Sequence, residues 1–198
     1  MSRRPRPAVG AERSHHQLRI IAGEWRSRRF AFSCAPGLRP TPDRVRETLF
    51  NWLSGEIEGR RCLDLFTGSG ALTLEALSRG AAFALACDQD RQAIDSLRQH
   101  LQTLGCERAE LRQQDALQLL AGSPETPFDL VFLDPPFHQG LLQPACEALE
   151  QQGWLSPRAW VYLESEQPPS RLTLPGNWQL YREKSAGQVF YSLWHRQP

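Results

Sequence analysis

From residue 61 onward, short apolar runs alternate with stretches of helical periodicity, and that alternation restricts the chain to a parallel sheet covered by helices on both faces. The apolar runs span 62–66, 82–87, 109–112, 128–133 and 159–164, with helical patterns at 71–78, 91–104, 116–120 and 141–151 between them. Gly80 and Gly105 stand where two of these helices should stop. After residue 170 the character changes, and segments 178–184 and 189–194 flank Ser185-Ala186-Gly187 as an antiparallel hairpin. The expected fold class is therefore α/β, a doubly wound and mostly parallel sheet that ends in an antiparallel hairpin. No internal repeat or low-complexity core segment competes with this reading.

Within that frame four carboxylates fall at the C-terminal ends of successive strands: Asp64, Asp88, Asp115 and Asp134. This is the edge at which open α/β sheets bind their ligands. Each aspartate alone is more often a turn or helix cap, but four on one edge favour a site. Asp64-Leu65-Phe66-Thr67-Gly68-Ser69-Gly70-Ala71 joins the first of these strands to its helix, so Gly68 and Gly70 let a ligand approach backbone N–H groups at a helix start. No Gly-Lys-Ser/Thr follows, which excludes a P-loop. Thr73 occupies the place of the third glycine of a dinucleotide fingerprint, which disfavours a nicotinamide cofactor. A carboxylate such as Asp64 beside the turn suits a cationic or amino-acid-bearing ligand better than a pyrophosphate. Asp88, eighteen residues beyond Gly70, stands where an acid receives ribose hydroxyls, and Asp115 is placed to take an adenine amino group.

Asp134-Pro135-Pro136-Phe137 follows the apolar run Leu130-Val131-Phe132-Leu133 and sets a carboxylate, rigid backbone carbonyls and an aromatic ring at a strand end. An exocyclic amine on a nucleobase is a poor nucleophile, because its lone pair is delocalised into the ring. A carboxylate and a main-chain carbonyl that accept its two N–H groups pull the nitrogen toward tetrahedral geometry and stabilise its developing positive charge. Asp134 and Pro135 are the expected grip, and Phe137 can stack on the base. The bland alternative is a strand stop followed by a proline turn.

The N-terminal part is different in kind. Residues 1–46 hold eleven arginines against Glu12, Glu24 and Asp43, a net +8, so the remainder sums to −7 within a chain of net charge +1. Such a split suits a polyanion laid against an acidic catalytic body. Residues 1–16 have the composition of a disordered basic tail. Segments 18–22 and 25–32 resemble two strands joined at Gly23-Glu24, and Thr41-Pro42 reads as the N-cap and first position of a helix carrying Val45, Leu49, Trp52 and Leu53 on one face. Arg26, Arg28, Arg29, Arg39, Arg44 and Arg46 are the candidate RNA contacts. The expected organisation is a tail over 1–16, an RNA-binding extension over 17–55 and a catalytic domain over 56–198. Five scattered cysteines lack a C-x-x-C pair or a histidine at ligand spacing, so neither a metal site nor a disulfide framework is indicated. The N-terminus lacks the apolar core of a signal peptide and no apolar run has membrane-spanning length, so a cytoplasmic protein is expected.

Taken together, Arg19-Ile20-Ile21-Ala22-Gly23, Arg39-Pro40-Thr41, Asp43-Arg44-Val45-Arg46-Glu47-Thr48-Leu49-Phe50-Asn51, the stretch 64–76 and the stretch 128–137 closely resemble the RsmD family of bacterial 16S ribosomal RNA guanine-N2 methyltransferases, from residue 18 to near the end. The resemblance implies a Rossmann-like class I fold with a small N-terminal basic hairpin, and S-adenosylmethionine as cofactor. It further implies a guanine N2 amine of 16S rRNA, at position 966, as the methyl acceptor on the small ribosomal subunit. By the same resemblance Gly68 and Gly70 approach the methionine part, Asp88 the ribose, Asp115 the adenine, and Asp134 with Pro135 the guanine amine. A monomer without metal is expected. The residues by themselves leave open an adenine-N6 methyltransferase, which would use the same amine grip, and a non-catalytic RNA-binding assembly factor that keeps the fold.

Overall fold

A computed structural model describes residues 15–33 and 41–198. Seven strands form one sheet in the order β5-β4-β3-β6-β7-β9-β8. Strands β3 (Arg61–Asp64), β4 (Phe83–Asp88), β5 (Ala109–Gln113), β6 (Phe128–Leu133) and β7 (Leu155–Ser165) are mutually parallel. The antiparallel pair β8 (Trp178–Ala186) and β9 (Val189–Arg196) completes the sheet, with β9 beside β7. A separate hairpin, β1 (His15–Arg19) with β2 (Arg29–Ser33), precedes the sheet in sequence. The doubly wound architecture with two hairpins is the one expected. β7 is longer than its apolar run suggested, because it begins at Leu155 with the partly polar stretch Ser156-Pro157-Arg158.

Side-chain alternation along each strand builds two cores. Cys62, Ala84, Ala86, Leu130, Phe132 and Tyr162 face α1 (Asp43–Trp52), α2 (Ala71–Ser78), α3 (Arg91–Leu104) and the N-terminal hairpin. Leu63, Leu85, Val131, Leu133 and Val161 face α4 (Ala116–Leu120) and α5 (Leu142–Gln151). α2 is buried all round, so its polar residues must be satisfied inside the protein. β8 is the outer edge of the sheet; only Trp178 on it is buried, and its register slips between Leu180 and Arg182.

Those satisfied polar residues attach the N-terminal hairpin. Glu75 of α2 has no solvent exposure; its carboxylate accepts the Ile21 and Ala22 N–H groups at 2.8 and 3.0 Å and Arg79 Nε at 2.8 Å. Arg46 of α1 brings its guanidinium to 3.8 Å from the same carboxylate and donates to the Arg19 carbonyl at 3.0 Å. One turn on, Ser78 Oγ accepts Trp25 N–H at 2.9 Å and donates to the Ala22 carbonyl at 2.6 Å. The backbone approach here is close: a Cβ on Gly23, whose φ is +82°, would stand 1.8 Å from the Ser78 carbonyl oxygen. Leu18, Ile20, Trp25, Phe30 and Phe32 are buried beneath the hairpin. Each contributes about 1.5–3 kcal/mol of apolar burial.

Replacing Glu75 by alanine strands a buried guanidinium and two backbone N–H groups, which should cost about 3–5 kcal/mol. Urea unfolding would read this loss, and faster amide exchange at Ile21 and Ala22 should accompany it; a loss below about 1 kcal/mol would show that the hairpin is seated by apolar contact alone.

Candidate active site

The chain runs β3, β4, β5 in one direction and then returns to place β6 on the other side of β3, so a crevice opens at the C-terminal ends of β3 and β6. Around it the four aspartates follow the strand order: Asp115 beyond β5, Asp88 on β4, Asp64 on β3 and Asp134 beyond β6.

Asp64 is buried, and its Oδ2 accepts the hydroxyls of Thr73 at 2.7 Å and Thr67 at 3.0 Å. It therefore braces the glycine loop from beneath. Burial pushes its carboxyl up to about 6, against the two threonine hydrogen bonds, with Asp88 adding repulsion. Thr73 thus stands at a functional position of the loop for the sake of its hydroxyl, which the comparison with a dinucleotide fingerprint did not anticipate. Asp88 holds the loop from the other side: Gly68 N–H donates to its Oδ2 at 2.8 Å and Asp90 N–H to its Oδ1 at 2.9 Å. Gly70 has φ +77°, and a Cβ there would meet Leu97 Cδ1 at 2.5 Å. By contrast, a Cβ on Gly68 would meet only the Phe66 carbonyl oxygen, at 3.9 Å, so the space beside Gly68 is open to a ligand. Asp115 lies two residues past β5 as the N-cap of α4, with Oδ1 accepting Gln118 N–H at 3.0 Å. Its second oxygen has no partner among the described residues.

Asp134 emerges from β6 partly exposed, and Pro135, Pro136 and Phe137 continue along one wall of a cavity of about 400 Å³. The loop leaving the motif is clipped to the end of β7, where Glu166 receives the His138 N–H and pairs with its ring Nδ1. Thr41 does not cap α1. That role falls to Pro42, whose carbonyl receives Val45 and Arg46 N–H, while the Thr41 hydroxyl donates to Asp134 Oδ2 at 3.1 Å. Burial and the neighbouring Glu164 carboxylate raise the Asp134 carboxyl well above the ordinary range, partly offset by the Thr41 hydrogen bond. Glu164 itself, buried near the end of β7, is pushed up to about 6 by burial, against the hydrogen bond that Tyr162 donates to it. Neither Asp134 nor Glu164 has a cationic partner among the described residues. Sequence reasoning passed over Glu164 as a site residue; its only signal was a carboxylate as the last residue of an apolar strand run.

The candidate RNA contacts divide. Arg26, Arg28, Arg29 and Arg44 are exposed and unpaired among the described residues. Arg46 must be withdrawn from that group, because it is 1% exposed and engages Asp43, Glu75 and the Arg19 carbonyl within the fold. Arg39 lies outside the described residues, as does the expected tail up to residue 14, while its last two residues, His15 and His16, belong to β1. Arg26 and Arg28 sit on a turn docked at Ser78, the end of α2 remote from Gly70. An eight-residue helix is about 12 Å long, so these arginines and the crevice lie roughly that far apart along it. Among the described residues no cluster of His, Cys, Asp and Glu has the makings of a metal centre, and no helix is long and apolar enough to cross a membrane.

The fold recurs in solved structures. One described as putative methyltransferase yhhF from Escherichia coli superposes with a TM-score of 0.85 at 49% identity, over 92% of this chain and 99% of that one. The fold is thus that of the Rossmann-like class I methyltransferases. The chain is 50% identical over 181 residues to the ribosomal RNA small subunit methyltransferase D of Escherichia coli (strain K12), with 91% of each covered. To the protein of the same name in Haemophilus influenzae it is 46% identical over 181 residues, covering 90% of this chain and 93% of that one. Residues 18–195 match the family model described as Conserved hypothetical protein 95, and the chain belongs to that family, the RsmD family of class I methyltransferases.

The buried acids set a testable pH dependence. Asp64 and Glu164 bind protons more tightly folded, at about 6, than their ordinary values of 3.8 and 4.5. They therefore cost stability as pH rises through 4 to 6, and that cost is removed on acidification. Folding stability of the wild type should gain more between pH 7.5 and 5.0 than that of an Asp64→Asn, Glu164→Gln double variant, as read by denaturant midpoints; equal gains would contradict the assignment.

Proposed function

We propose that the protein transfers a methyl group from S-adenosylmethionine to the exocyclic N2 amine of a guanine in 16S rRNA, at position 966 as the family resemblance implies, on a small-subunit particle in the cytoplasm, and that it works as a monomer. The observation that carries the reading is the Asp134 carboxylate, which stands at the crevice beside the glycine loop with Pro135 and Phe137 next to it. The relatives named ribosomal RNA small subunit methyltransferase D supply the substrate class.

The donor set fits such a cofactor: an open approach to Gly68, spare acceptor capacity on Asp88 and Asp115, and, among the described residues, no cation paired with these acids to repel a sulfonium. Gly68 and Gly70 would lie along its methionine part, Asp88 would receive ribose hydroxyls, and Asp115 would receive the adenine amine. Asp64 shapes the loop and adds negative potential beneath it. When bound, the cofactor supplies an electrophilic methyl carbon. The chain's own residues do the rest. Asp134 and the Pro135 carbonyl accept the two N–H groups of the guanine amine and localise its lone pair, and Phe137 stacks on the base. As the nitrogen gains its new bond it must shed a proton, and the dehydrated Asp134 carboxylate, whose affinity for protons is raised, is suited to take it. Because the amine is buried in duplex RNA, the target must be unpaired or flipped out to reach the crevice.

Asp134→Ala should lower turnover by at least about 100-fold with cofactor affinity nearly unchanged, whereas Asp88→Ala should weaken cofactor binding in calorimetry. Incubating small-subunit particles and naked RNA with methyl-labelled cofactor and digesting to nucleosides should place label in N2-methylguanosine, more of it from particles. Label in N6-methyladenosine, or only in DNA, would overturn the reading, and RNA binding with no transfer would make the chain an assembly factor.

The exposed arginines give a second measurement. Reversing Arg26, Arg28 and Arg29 to glutamate should weaken RNA binding and flatten the slope of log K against log salt by about 0.7–0.9 for each phosphate that is no longer neutralised, leaving cofactor binding intact. An unchanged slope would reduce the hairpin to a structural cover.

A further inference from the structure

In the parallel pairing of β6 with β7, Leu133 lies opposite Leu163, so Asp134, just past the end of β6, stands beside Glu164 of β7. Strands in a sheet are about 4.8 Å apart, which brings the two carboxylates to one place. Thr41 donates its single hydroxyl proton to Asp134 Oδ2 at 3.1 Å, which leaves none for Glu164. Tyr162 donates to Glu164 Oε1 at 2.8 Å. Glu164 is 5% exposed and lines the same cavity as Pro135, Pro136 and Phe137. Two ionised carboxylates offer about eight acceptor sites and no donor. Thr41 and Tyr162 fill only a small part of that capacity, and no described cation neutralises the pair. A purely structural role for Glu164 would be met better by a neutral side chain, since an unpaired carboxylate is costly to bury.

The unmet need is for adjacent donors, and among bases with an exocyclic amine only guanine provides them. Its Watson–Crick edge carries N1–H directly beside the N2 amine. Adenine sets an N1 lone pair beside its amine, and cytosine sets an N3 lone pair beside its own. We infer that Glu164 determines base specificity, its carboxylate accepting the N1–H of the target guanine while Asp134 and the Pro135 carbonyl hold the amine. Adenine in the same pose would turn a lone pair toward a buried carboxylate, a mismatch that binding sites reject strongly. The inference rests on the methyl-transfer reading above and assigns the guanine choice to a named residue.

The test replaces the target guanosine with 2-aminopurine riboside in small-subunit particles whose 16S RNA is ligated around a synthetic segment. This analogue keeps the 2-amine and carries a lone pair at N1. The wild type should methylate it at least about 100-fold less efficiently than guanosine, in kcat/KM. In Glu164→Gln the amide can donate to N1, so the 2-aminopurine to guanosine ratio should rise by about 10-fold or more with cofactor affinity unchanged. Glu164→Ala, followed by the same ratio, covers the case in which the glutamine variant does not fold. Equal wild-type efficiency on the two bases would overturn the inference, as would variants that slow both bases alike and leave the ratio fixed. If wild-type enzyme transfers no label to guanosine particles, the methyl-transfer reading itself fails, and that outcome is distinct from a failure of discrimination.

Discussion

The buried carboxylate of Glu75 is the contact on which the other parts of the molecule converge. α2 begins at Gly70, where the glycine loop ends, and one face of it carries Glu75 into the N-terminal hairpin. Arg46 reaches the same carboxylate from α1 and holds the Arg19 carbonyl as well, so hairpin, entrance helix and glycine loop share one anchor. A buried ion pair of this kind contributes little net stability over an apolar substitute, but removing one member leaves the other without compensation. It fixes the relative placement of elements that apolar packing alone would allow to slide. Through α1 that placement extends to Thr41, and through Thr41 to Asp134.

At the other end of α2 the governing constraint is dehydration of acids. Asp64, Asp134 and Glu164 all hold protons more tightly than free carboxylates, chiefly because they are withdrawn from water. The strand order sets these groups close enough to repel one another, and the threonine and tyrosine hydroxyls only partly relieve this. Such an arrangement is poorly adapted to an empty crevice and well adapted to one filled by a cationic group and by N–H donors.

Much of this was legible in the chain. Alternation of strand and helix predicted the parallel sheet, and aspartates at the ends of four of the runs pointed to one edge of it. Local signals failed where a residue's partner is remote in sequence. Thr41-Pro42 has the composition of a helix cap, yet Thr41 bonds to Asp134, ninety-three residues away. Arg46 sits in a basic run and reads as a phosphate contact, but the α-helical period turns it inward to meet Glu75. Glu75 is invisible to any pattern, being a charge in the middle of an apolar helix. Glu164 is likewise defined by the register of β6 against β7, which no sequence window contains.

The far edge of the sheet bears on how the molecule coexists with others of its kind. Among the described residues β8 offers an unpaired row of backbone groups, the ready template on which a strand from another chain could add. Its register slip at Tyr181 breaks the regular ladder, and Arg182, Glu183 and Lys184 follow immediately on the exposed strand. An incoming strand would have to match an irregular hydrogen-bond spacing and bury charges of both signs. The irregular ladder and the charges together oppose the addition of a further strand at β8.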